Sequence, residues 1–161
     1  MVIWRDVNVF GLGHIERVIG FSVPVDHRLA VISYEALYVI DLTAQRMIER
    51  DGTLTEGGDA YDTRTQTLGH EGLSYPILGV HGGSRALVTS PLGKRLAFDT
   101  SIDGPDSVTR VLHVLDADNQ VRTDDIHFDD FSGDWCHATF SPNGRFIIVG
   151  APYDLLVLQR D

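Results

Sequence analysis

The chain has 161 residues, is 43% hydrophobic and carries one cysteine, Cys136. That is enough apolar content for the core of one domain and too much for a disordered chain, and it leaves no intrachain disulfide. The formal charge is −10, and residues 99–135 set ten aspartates against only Arg110 and Arg122, a field that repels phosphate backbones and anionic lipid and so argues against nucleic-acid and membrane partners. No apolar run nears the roughly 18 residues of a membrane span.

The opening stretch M-V-I-W-R-D-V-N-V-F lacks the basic start and long apolar run of a signal peptide, so a reducing, cytoplasmic setting is expected. It alternates, and predicts a strand at 2–10. Further short apolar runs predict strands at 16–23, 28–33, 36–42 and 46–50. Helical periodicity is weak throughout, although 42–50 also has room for one or two helical turns. Residues 51–84 are rich in Gly, Thr and Asp and read as a long loop with room for one hairpin, and a strand is expected at 74–80. Strands are then expected at 85–90, 95–100, 109–116, 119–128, 136–141, 145–150 and 154–159.

Three of these stretches align. F-S-V-P-V-D-H-R-L-A-V (21–31), V-T-S-P-L-G-K-R-L-A-F (88–98) and T-F-S-P-N-G-R-F-I-I-V (139–149) share a proline, a turn residue two places on, a basic residue and an apolar strand. Pro24, Pro91 and Pro142 preset φ for a turn, and Asp26, Gly93 and Gly144 suit the left-handed position after it. A second block follows each turn: A-L-Y-V-I-D-L-T-A-Q (36–45), V-L-H-V-L-D-A-D-N-Q (111–120) and D-L-L-V-L-Q (154–159). Hairpin-linked strand pairs repeated three times are the mark of a sheet-repeat protein.

Gly13-His14 leads into Phe21-Ser22 and ends at Ile40-Asp41, Gly69-His70 precedes a copy ending at Leu115-Asp116, and Phe140-Ser141-Pro142-Asn143-Gly144 opens the third. In this order of signals the chain resembles degenerate WD40-type β-propeller blades, with Ile40 and Leu115 in place of the tryptophan of the Trp-Asp pair. The resemblance implies an all-β fold of about three four-stranded antiparallel blades over 14–51, 69–125 and 136–159, in a single domain spanning 1–161. It also implies that His14 and His70 hydrogen-bond within their blades, with Asp26 a carboxylate partner. Three blades do not close a ring, since propellers typically have at least four. The expected solutions are an open partial propeller, a reduced fourth blade in 51–84, or half of a dimeric propeller. The last copy lacks a fourth strand, so strand 2–10 is expected to pair with 154–159 and cover that edge, within one chain or across a homodimer.

Catalytic and metal chemistry find little support. Cys136 and His137 are adjacent on a predicted strand and face opposite ways, so they do not form a nucleophile–base pair or a shared ligand set. Asp116-Ala-Asp118-Asn119 starts like a calcium loop, but its sixth and twelfth positions are Val121 and His127. Gly11-Leu12-Gly13 lacks the third glycine of a dinucleotide loop, where Glu16 stands, and no G-x-S-x-G occurs. No catalytic residue, metal or cofactor is therefore expected. The better signal is aromatic residues interleaved with acids. Phe128, Phe131 and Trp135 alternate with Asp129, Asp130 and Asp134, although Phe128 and Trp135 also suit a core. The candidate binding residues are Asp124, Asp125, Asp129, Asp130, Phe131, Asp134 and Trp135. They point to a non-catalytic protein-interaction module for a basic protein partner, in one form an immunity-type inhibitor of a basic toxin. The alternative is an enzyme or small-ligand protein using the centre of a closed, dimeric propeller.

Overall fold

The computed structural model describes residues 3–7, 17–104, 107–130 and 133–161. The fold is all-β and antiparallel. In chain order the strands are β1 (Trp4–Asp6), β2 (Val18–Ser22), β3 (Arg28–Ser33), β4 (Leu37–Asp41), β5 (Arg46–Asp51), β6 (Tyr61–Asp62), β7 (Thr67–His70), β8 (Leu73–Gly79), β9 (Lys94–Gly104), β10 (Ser107–Asp116), β11 (Arg122–Asp130), β12 (His137–Phe140), β13 (Phe146–Ala151) and β14 (Asp154–Arg160). A kinked 3-10 segment, Thr55–Ala60, joins β5 to β6.

These strands make three sheets. The first has seven strands in the order β5-β4-β3-β2-β8-β7-β6, the second is β1-β14-β13-β12, and the third is β11-β10-β9. The expected closure by the N-terminal strand is present within one chain: Trp4 pairs with Arg160, Arg5 with Gln159 and Asp6 with Leu158. Val7 continues the ladder by donating its N–H to Val157 O.

The stacking of the sheets explains the most apolar runs in the sequence. In β3, Leu29 and Val31 enter one core, while Ala30 and Ile32 enter another on the opposite face. In β13, Phe146 and Ile148 enter the core shared with the first sheet, while Ile147 and Val149 enter the core shared with the third. Strands buried on both faces are continuously apolar rather than alternating. The first and second sheets approach closely at Gly150, where any Cβ would run into the Phe21 ring.

The turns follow the expected chemistry. Asp26 and His27 both take positive φ in the tight turn between β2 and β3, as do Glu71 and Gly72 between β7 and β8. Gly93 and Gly144 hold the left-handed position in the other two proline turns. The buried hydroxyls of Ser90 and Ser141, each just before its proline, accept the backbone N–H of Lys94 and Phe146 at the start of the following strands.

Two expectations change. Residues 51–84 hold three strands, and these extend the first sheet, because β8 pairs with β2 from Gly20–Gly79 to Ser22–Ile77. Residues 85–90 do not form a regular strand. Leu87 O accepts from Phe140 N of β12, and Val88 O accepts from Leu96 N of β9, so the segment bonds on alternate sides to two different sheets. It stitches the second sheet to the third around the core of Leu112, Phe128, Phe140 and Val149.

Candidate functional site

The seven candidate residues fall in three environments. Asp124 is half-buried, and burial raises its carboxyl above the ordinary range against the pull of Lys94. Asp125 is exposed and accepts from His113 Nδ1 at 2.6 Å, a bond that lowers its carboxyl, with Arg122 Nε 3.6 Å away. Asp99 stands 3.9 Å from the other ring nitrogen of His113. Asp129 sits opposite Thr109 in the β10–β11 register. Asp130 is buried: it accepts from Arg110 Nε at 3.1 Å and from the Gly133 backbone N–H at 3.2 Å. Phe131 lies outside the described residues.

Asp134 and Trp135 stand together elsewhere, in a groove of about 390 Å³ where the first and second sheets meet. Val18, Ile19 and Pro152 form part of its lining, with Arg17, Tyr34, Val80 and Tyr153 around them. Its frame is held by backbone bonds: Val18 N donates to Pro152 O, Tyr34 N to Arg17 O and Val80 N to Ile19 O. The Ser33 hydroxyl accepts from the N–H groups of Glu35 and Ala36 and shapes the turn that displays Tyr34. Tyr34, Val80 and Tyr153 are each about half exposed (49%, 56% and 51%), an uncommon grouping of apolar surface around one concavity.

Trp135 is fixed in place. It stacks against Phe21 at 6.4 Å and against His137 at 5.6 Å. His137 is itself held by donating Nε2–H to Gly79 O at 3.0 Å. Arg17 lies over the Tyr34 ring, its guanidinium carbon 5.7 Å from the ring centre. Arg17 has φ of +51°, a left-handed conformation that a non-glycine residue keeps only when its surroundings impose it.

A second cluster was not singled out by sequence spacing. Glu49, His70 and Glu71 bring three potential ligand atoms within 4.8 Å of one another. His70 Nε2 donates to Glu49 Oε2 at 2.8 Å, and Arg28 Nη1 lies 4.0 Å from Glu71. The cluster is thus an ion-pair network with its own cation. His70 bonds to a carboxylate of its own sheet, Glu49 rather than Asp26, while His14 lies outside the described residues. Cys136 packs against the core around Phe140, and burial pushes its thiol up to about 12, far from the range of a working nucleophile.

Among the described residues no helix is long and apolar enough to cross a membrane. The chain matches no protein-family model and no curated protein.

Proposed function

We propose that the chain is a non-catalytic protein-interaction module that binds a basic protein partner through an acidic surface centred on β11. The observation that carries this reading is the state of that strand. Among the described residues β11 pairs only with β10, and its nine residues carry four aspartates. An unpaired strand edge offers backbone donors and acceptors, and its charges select what approaches: acidic strands are repelled and basic ones are steered in. Asp99 and Asp125 are the exposed carboxylates next to His113, with the Asp99 side chain 76% exposed. The proline turns fit degenerate WD40-like blades, a scaffold suited to such a role. A small acidic protein in the cytoplasm, with its thiol reduced, suits the cap of a basic toxin or nuclease in the manner of an immunity protein.

Crosslinked capture from the native host followed by association kinetics of the captured protein tests the reading. The expected partner is basic, and its association slows as salt rises and slows about tenfold more in an Asp99→Lys, Asp125→Lys double variant. A non-basic partner, or kinetics indifferent to salt and to the double variant, overturns it.

A further inference from the structure

We propose that the groove between the first and second sheets binds a small zwitterion of the amino-acid class with an aromatic or branched side chain. This goes beyond the interaction of β11 with a basic protein and does not depend on it.

Among the described residues the charges lining the groove are one of each sign. Arg17 and Asp134 both line it and are both exposed. Arg17 holds its guanidinium carbon 5.7 Å from the centre of the Tyr34 ring, within cation–π range. A cation–π contact uses none of the N–H donors, which form the planar fork that matches a carboxylate bidentately. A carboxylate has about four acceptor sites, so Asp134 can take an ammonium in addition to the contact it already makes. A purely cationic ligand would meet Arg17, and a purely anionic one would meet Asp134. A zwitterion satisfies both.

The rest of the groove suits an apolar side chain. Tyr34, Tyr153 and Val80 are half exposed around it. Trp135 has Phe21 and His137 stacked against it, so it forms a fixed wall and does not swing out to meet a partner. The volume of about 390 Å³ lies at the small end of ligand pockets, which favours a single small molecule over a peptide segment. The three backbone bonds that frame the groove leave little ordering to be done on binding.

Calorimetric titration of the full chain with L-phenylalanine, phenethylamine and 3-phenylpropanoate tests the assignment without any variant. L-Phenylalanine is expected to saturate, with each single-charge analogue about tenfold weaker or worse. Arg17→Gln is expected to weaken L-phenylalanine and 3-phenylpropanoate and to spare phenethylamine. Asp134→Asn is expected to weaken L-phenylalanine and phenethylamine and to spare 3-phenylpropanoate. Neither change touches β11, so capture of a basic partner is expected to survive both. No saturation by L-phenylalanine or L-leucine up to about 10 mM overturns the proposal. Equal binding of the zwitterion and one analogue also overturns it, by assigning the groove to a simple cation or anion.

Discussion

His70 Nε2 donates to Glu49 Oε2 over 2.8 Å, joining β7 to β5 although four strands stand between them in the sheet order. Such a bond exists only because the seven-stranded sheet curls back on itself. Each strand pair contributes a twist of roughly 20–25°, and the curl encloses Ile32, Leu68, Tyr75 and Ile77. The kinked 3-10 segment packs against this curl through Gly57, its one buried residue, which lies close to both Ile32 and Tyr61.

The latch is partly buried, with the His70 and Glu49 side chains 13% and 30% exposed. His70→Ala is expected to cost about 1 kcal/mol and to lower the midpoint of thermal unfolding by about 2–4 °C. Asp161→Ala, which removes the exposed pair with Arg5, is expected to shift it by much less. Calorimetric scans of the two variants decide the matter, and equal shifts would show that the latch holds nothing.

Asp130 is part of the acidic stretch by sequence and part of the interior by structure. Its side chain is 1% exposed and bonded to Arg110. Asp130→Ala takes this partner from the partly buried Arg110 guanidinium and is expected to cost about 3 kcal/mol in urea unfolding. Asp118→Ala, on the exposed turn after β10, is expected to stay within about 0.5 kcal/mol. A mild effect at Asp130 would mean that the Arg110 contact contributes little.

His137 gives a pH dependence with a defined sign. Burial lowers its pKa from the ordinary 6.5; its bond to Gly79 O opposes the shift and the charge of Arg110 adds to it. The folded form therefore binds the proton less readily than the unfolded chain. The contribution of a neutral His137 is complete above about pH 6.5 and is lost as pH falls below that value. Urea midpoints at about pH 7.5 and pH 5.5 are expected to fall further apart in the wild type than in His137→Gln. An unchanged gap would remove His137 as a source of acid sensitivity.

Much of the fold was legible because its strands are short and strongly patterned. β3, β4, β13 and β14 lie within a residue or two of the apolar runs that predict them, and the proline turns carry the left-handed residues their chemistry requires. β6 and β7 were hidden in a polar stretch because Leu68 is their one fully buried apolar residue, too little for a period to register. Residues 85–90 have a strand's composition, but their bonding alternates between two sheets, which no local pattern encodes. The site was legible only at Asp134 and Trp135. Arg17, Tyr34 and Tyr153 reach the same groove from three other turns, and nothing in their spacing brings them together. The acidic run reads as one patch along the chain, whereas strand alternation turns Asp125 outward and buries Asp130.

β13 is a wall common to two rooms. Phe146 and Ile148 belong to one core, and Ile147 and Val149 to the other. A slip of one residue in its pairing would exchange these two sets, so an error of register on one side is also an error on the other. Melting of either core strips one face of the same six residues, and the loss passes to the second core through the backbone they share. The stacked sheets are bound in this way into one cooperative unit, and the groove that opens where the first sheet meets the second keeps its shape only while that unit is whole.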